Sequence, residues 1–255
     1  MVISHKYKYV FVELPLSGST AVSNELCDLY DGEKILRKHS KYSEFLKIAN
    51  DEEKKYFVFS GIRHPMDLVV SEFLKIKNNH KQRYTTPSEW RRNGGTLSDE
   101  NLRLYNEIKN NGLTFQHYFK KYFKLPYDNW SSADHKSFDY IIRFENLRND
   151  FSEVLKRLQI EPVRELPQIN KTSEKDDYTK YYTAEIREKA VFVFAPFMKK
   201  WGYKFPADWN APKPGASSFI LFEILGIAKR IYWKNTESKS AHASSAKKTL
   251  VRNGL

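Results

Sequence analysis

Three short apolar runs punctuate the chain: residues 9–14 (Tyr-Val-Phe-Val-Glu-Leu), 55–63 and 138–144. All are rich in β-branched and aromatic side chains, the composition of buried strands. Behind each run the apolar spacing changes to that of a helix. Residues 21–30 form the first such stretch, with Asp31-Gly32 closing it. Residues 68–76 follow the second run, with Leu68, Val69, Phe73 and Ile76 on one face. Residues 150–158 follow the third, with Phe151, Val154, Leu155 and Leu158. Repeated strand–helix units predict an α/β fold with a central parallel sheet flanked by helices. Residues 33–48 are charged and read as partly helical. Residues 101–121 and 183–201 read as helices, and 123–135 and 166–173 as polar loops. His64-Pro65-Met66-Asp67 reads as a turn.

The proline-rich stretch 206–214 predicts the end of the compact domain, dividing the chain into 1–208 and a C-terminal extension, 209–255. Residues 217–233 are apolar but too short and interrupted for a transmembrane span. They read as a docked helix or as a weak peripheral membrane contact. The Ser-, Ala- and Lys-rich residues 235–255 read as a disordered tail.

Composition narrows the function classes. With 255 residues, 40% of them hydrophobic, the chain can bury one sizeable α/β core and has little room for a second. A net charge of +12 favours polyanionic partners: a nucleotide, an acidic polysaccharide, nucleic acid or an anionic membrane. No nucleic-acid-binding module is recognisable, so nucleic acid is not expected as the partner. The single cysteine, Cys27, excludes an internal disulfide and a multi-thiolate zinc site, and reads as a small core residue. No signal-peptide-like run opens the chain, which reads as cytoplasmic.

Between the first strand and helix lies Pro15-Leu16-Ser17-Gly18-Ser19-Thr20-Ala21. Pro15 stops the strand because it has no N–H for a ladder. The small residues let backbone amides converge ahead of a helix N-terminus, a natural cradle for a phosphate-like anion. An ordinary strand–helix turn capped by Ser or Thr would read the same way. A Walker A loop is excluded, because Gly18 is followed by Ser19-Thr20 without a lysine. Arg63, at the tip of the second strand, stands where α/β sheets bind ligands and offers a fork suited to phosphate. Ser71 follows eight residues later on a helix. The alternative for Arg63 is an ion pair with Asp67 or Glu72. Residues 75–92 are basic, with Tyr84 and Trp90 interspersed, and read either as a solvated loop or as a rim for an anionic or sugar acceptor.

Taken in order, the loop 15–20, the run Ser60-Gly61-Ile62-Arg63-His64-Pro65 with Ser71, and Ile142-Arg143-Phe144-Glu145-Asn146-Leu147 resemble the sulfotransferases that use 3′-phosphoadenosine 5′-phosphosulfate. The likeness covers about residues 8–206 and is nearest to the bacterial and Golgi carbohydrate enzymes. It implies a P-loop NTPase-like fold and transfer of a sulfonate from that donor to a hydroxyl of a carbohydrate, with no metal. It also implies that Ser17, Gly18, Ser19, Thr20 and Ala21 hold the 5′-phosphosulfate and that Arg63 and Ser71 hold the 3′-phosphate. Arg143 and Lys171 are further cofactor candidates. The chain departs from the family at Leu16, where Lys or Arg is usual. Lys38, Lys41, Arg143 and Lys171 are candidates for the missing cation. Glu13 and His39 are candidates for the base that deprotonates the acceptor, whereas His64 reads as structural. A nucleotide-binding module without turnover, or a basic polyanion-binding protein, are the alternative functions.

Overall fold

The computed structural model describes residues 1–92, 95–127, 138–167, 177–229 and 231–232, with 91–92 and 95–96 described by backbone alone. The three apolar runs become strands β2 (Tyr9–Val12), β4 (Phe57–Ile62) and β7 (Tyr140–Arg143), paired side by side and parallel. Two strands that the pattern did not reveal extend the sheet beyond β2. These are β1 (Val2–Ser4), antiparallel to β2, and β3 (Glu33–Lys34), antiparallel to β1. The order is β3-β1-β2-β4-β7: the centre is parallel as expected, and two antiparallel strands added at one side make the whole sheet mixed. The reason is connection length. Only four residues link β1 to β2, one of them Lys8 at φ 53°, and so short a link can return the chain only antiparallel.

Side chains sort to the two faces of the sheet with period two. Val2, Tyr9, Phe11, Phe59 and Ile142 share one core with helices α1 (Ser19–Leu29) and α6 (Leu147–Arg157). Met1, Ile3, Val10, Val12 and Val58 pack with the short helix α2 (Tyr42–Leu46). Cys27 is packed at the margin of the first core. Within the sheet the one buried polar side chain of β4, Ser60, donates to the carbonyl of Val12 at 2.7 Å and ties β4 to the end of β2.

A separate helical core joins α3 (Pro65–Lys77), α4 (Asp99–Lys109), α5 (Phe115–Tyr122) and α7 (Ala184–Trp201). Two expectations are corrected here. Helix α3 starts at Pro65, not after a separate turn, because proline's preset φ and missing N–H suit the first helical position. The single helix read over 101–121 is two helices, broken where Gly112 takes φ 65° after Asn110-Asn111. Residues 91–92 and 95–96 form a small antiparallel pair, β5 (Arg91–Arg92) and β6 (Gly95–Thr96).

Residues 216–229 form a helix, α8, that rests on α7 through Ser218 Oγ, which donates to the carbonyl of Phe192 at 2.6 Å, and through buried Phe222. No helix among the described residues is long and apolar enough to cross a membrane. The tail from residue 235, and the parts of the predicted loops at 128–135 and 168–173, lie outside the described residues.

Candidate active site

The three parallel strands all deliver their C-terminal ends to the same edge of the sheet, the usual ligand edge of such folds. After β2 the chain leaves the sheet, Leu16 takes φ 60° and Gly18 takes φ 77°, and α1 begins at Ser19. The hydroxyls of Ser17 and Ser19 both donate to the carbonyl of Leu14, at 2.9 and 2.7 Å, and so shape the loop from within. The N–H of Ala21 closes the first turn on the carbonyl of Gly18 at 3.0 Å. The backbone N–H groups of Ser17, Gly18, Ser19 and Thr20 make no hydrogen bond among the described residues. Two of these are ordinary helix-start donors, and the other two belong to the loop itself. Four unpaired amides beside a helix N-terminus are donors of the kind that suit an anion.

Neighbouring strands hold the loop closely. A Cβ on Gly61 of β4 would lie 3.1 Å from the carbonyl oxygen of Ser17. A Cβ on Gly18 would lie 2.8 Å from Leu147 and 3.3 Å from Phe144. The segment after β7 is therefore the floor on which the loop sits.

Phe144 also stacks on Arg63, 4.0 Å from ring centre to guanidinium carbon. Arg63 is buried at 8% exposure and has three partners. Nε donates to Asp67 at 2.6 Å, Nη2 to the hydroxyl of Ser71 at 2.8 Å, and Nη1 to the carbonyl of Leu16 at 3.2 Å. The ion pair and the arginine–serine pairing read from sequence thus coexist. One N–H on each terminal nitrogen remains without a partner among the described residues. Burial holds the guanidinium down at about 10, while Glu145 and Tyr203 favour its charge. One turn beyond Ser71, Lys75 has no hydrogen-bond or ion-pair partner among the described residues. Burial first, then Arg63, pushes its ammonium down to about 8.

On the other side of the loop, residues 35–40 follow β3 with Leu36 and His39 both left-handed. His39 Nδ1 lies 3.0 Å from the carbonyl of Glu13. A carbonyl can only accept, so Nδ1 carries the proton and the lone pair of the neutral ring sits on Nε2. Nε2 has no partner among the described residues, and burial keeps the imidazole below its ordinary value and hence neutral. Glu13 meets His39 through its backbone, whereas its buried carboxylate lies 2.6 Å from the amino group of Met1. Lys38 sends Nζ to Thr20 Oγ1 at 2.9 Å, on the first turn of α1.

The remaining sequence candidates fall elsewhere. Arg143 Nη2 donates to the carbonyl of Trp201 at 2.7 Å, and its guanidinium covers the ring of Tyr203, so it anchors the end of α7. Lys171 lies outside the described residues. Tyr84 of the basic rim stacks flat on Tyr105, 5.0 Å apart, and belongs to the helical core. His64 packs between Tyr178 and Tyr203 while its backbone N–H donates to Glu145 at 2.6 Å, joining α3 to the segment after β7. Sequence reasoning placed Lys75 only in the basic rim 75–92 and Phe144 only within its motif, whereas the structure sets Lys75 one turn beyond Ser71 and Phe144 against Arg63. The spacing of Ser71 and Lys75, one helical turn apart, was a readable signal for the first.

No curated protein and no solved structure shows a significant match to this chain. A family model described as "Sulfotransferase family" matches residues 1–200, which take in the loop, the Arg63–Ser71 pair, the floor under the loop and most of α7. By that match the chain belongs to the sulfotransferase family.

Proposed function

We propose that the chain transfers a sulfonate from 3′-phosphoadenosine 5′-phosphosulfate to a hydroxyl of a carbohydrate. The observation that carries this reading is the contact of Arg63 with both Ser71 and the carbonyl of Leu16, which joins the 3′-phosphate and 5′-phosphosulfate elements in one site. The unpaired loop amides suit the phosphosulfate, and the two spare N–H groups of Arg63 suit the 3′-phosphate. His39 Nε2 is the base. Transfer forms a bond from the acceptor oxygen to sulfur and breaks the bond from sulfur to the phosphate oxygen, which keeps the electron pair. The acceptor proton passes to Nε2, and adenosine 3′,5′-bisphosphate leaves. Positioning and charge stabilisation carry such a step, as in phosphoryl transfer. The residue roles above call for no metal.

The carbohydrate acceptor rests on the resemblance to carbohydrate sulfotransferases. The division into a catalytic body, 1–208, and an extension, 209–255, is part of the same reading. So is a peripheral membrane contact through 217–233, supported by Ile220, Ile224, Ile227 and Ile231, exposed along one face of this segment opposite buried Phe222.

Calorimetric titration with adenosine 3′,5′-bisphosphate tests the reading, with AMP as the control ligand. The wild type is expected to bind the bisphosphate more tightly than AMP, and Arg63→Ala to lose that preference. Equal binding of the two nucleotides by the wild type, or none, would sink the reading. Binding without turnover on any acceptor would leave a nucleotide-binding module.

A further inference from the structure

We infer that Lys38 supplies, from the segment between β3 and α2, the cation that the phosphate loop itself lacks. This rests on the nucleotide reading of the loop and goes beyond it by naming which residue faces the leaving phosphate. Residues 15–20 contain no basic side chain, and Leu16 cannot balance the charge that builds on the departing oxygen. Lys38 Nζ reaches that place from outside, 2.9 Å from Thr20 Oγ1. One of its three N–H groups satisfies Thr20, and the other two have no partner among the described residues.

The electrostatics make this an anion's position. Lys38 is half-buried and has no carboxylate within ion-pair distance among the described residues. Burial, Lys34 and Lys81 all disfavour its charge, and Glu13 alone supports it. A desolvated ammonium without a counter-ion is costly, and a bound anion removes that cost. The backbone holds the lysine there by several ties. Ile35 N–H donates to the carbonyl of Met1 at 3.0 Å, Ser40 N–H to that of Arg37 at 3.1 Å, and His39 Nδ1–H to that of Glu13 at 3.0 Å. The same turn thus presents the cation for the leaving group and the base for the acceptor as adjacent residues. Arg143 is committed to the end of α7, which removes a competing candidate.

Titrations of adenosine 3′,5′-bisphosphate and AMP into four variants decide the matter. Lys38→Met keeps the aliphatic stem and removes the charge, and Lys38→Arg keeps the charge. Lys38→Met/Leu16→Lys moves the cation onto the loop, and Arg63→Ala serves as reference. Lys38→Met is expected to weaken both nucleotides by a similar factor of roughly tenfold or more, because both carry the 5′-phosphate, while Arg63→Ala weakens the bisphosphate by a much larger factor than AMP. Lys38→Arg and the double variant should each regain most of the loss. Circular dichroism and thermal midpoints establish that each variant is folded. Unchanged binding by Lys38→Met, with Arg63→Ala still impaired, would overturn the role of Lys38 and leave the nucleotide reading standing. Failure of the double variant to recover would overturn the equivalence with a loop lysine. A wild type that binds neither nucleotide would overturn the underlying reading instead.

Discussion

His39 and Lys75 are the residues through which acidity reaches this site, and they act at opposite ends of the pH scale. The imidazole of His39 is held below 6.5, chiefly by burial. A neutral base of this kind gives a transfer rate that rises with pH through a value below 6.5 and then levels. His39→Gln should lower the rate by roughly 10²–10⁴-fold and remove that limb, which a pH–rate profile would read. The same shift has a stability consequence. Below about 6.5 the unfolded chain takes up a proton that the folded chain refuses, so this group withdraws stability as pH falls from 6.5 toward the folded value. Thermal midpoints of wild type and His39→Gln should converge on acidification. Lys75 is pushed down to about 8 by burial first, then by Arg63, Lys81 and Lys38, with Glu72 pulling the other way. Affinity for adenosine 3′,5′-bisphosphate should therefore weaken as pH rises through about 8, by roughly fivefold for a charge interaction of about 1 kcal/mol screened as in water. In Lys75→Met that step should be missing from calorimetric titrations. If the variant shows the same pH dependence, Lys75 does not contact the nucleotide field.

At the scale of elements, the loop depends on two glycines for different reasons. Gly18 combines φ 77° with a 2.8 Å approach to Leu147. Any L-residue there meets the left-handed penalty of about 1–2 kcal/mol and must also displace the floor of the site. Urea denaturation of Gly18→Ala should show a loss of at least that size, and nucleotide binding should weaken with it. Gly61 carries no such φ, and its neighbour need give only a few tenths of an ångström around 3.1 Å. Gly61→Ala is expected to cost little stability while still weakening the nucleotide, because what must move is the Ser17 carbonyl within the loop. The strands β2, β4 and β7 and the helices behind them were legible in the sequence, because each buries its own apolar pattern. Strand β3 was not legible. Glu33 and Lys34 are exposed and polar, and only the edge of β1 makes them a strand. The break between α4 and α5 was written in Asn110-Asn111-Gly112, but the apolar period on either side masked it.

For the whole molecule, charge and shape converge on α8. The chain carries +12, and the exposed Ile220, Ile224, Ile227 and Ile231 recur at helical spacing on the side away from α7. Lys199 and Lys200 cover Phe219 and Phe222 at its margin, which places cations beside the apolar stripe. Such a face is expected to hold the protein to vesicles containing anionic lipid and only weakly to zwitterionic ones, with the difference shrinking in high salt. Co-sedimentation of Ile220→Glu/Ile224→Glu should fall severalfold while nucleotide titrations stay unchanged. Equal sedimentation of variant and wild type would assign the stripe to another partner.

The sequence by itself determined the α/β class and the loop between strand and helix, since each is written in composition and spacing within one continuous segment; the pairing of Arg63 with Ser71 was implied by the resemblance to the sulfotransferases. The same resemblance marks Leu16 as a departure, because Lys or Arg is usual there. Tertiary structure alone brought Lys38, one of the candidates, to the first turn of the helix behind the loop. Lys38 and Thr20 lie 18 residues apart on separate elements, and Phe144 supports the loop from a third strand. The order β2-β4-β7 gathers those elements at one edge of the sheet. Local propensity cannot reach that far. A strand's apolar pattern determines that it is buried, and its neighbours are set by how the faces of all the strands and helices are covered together.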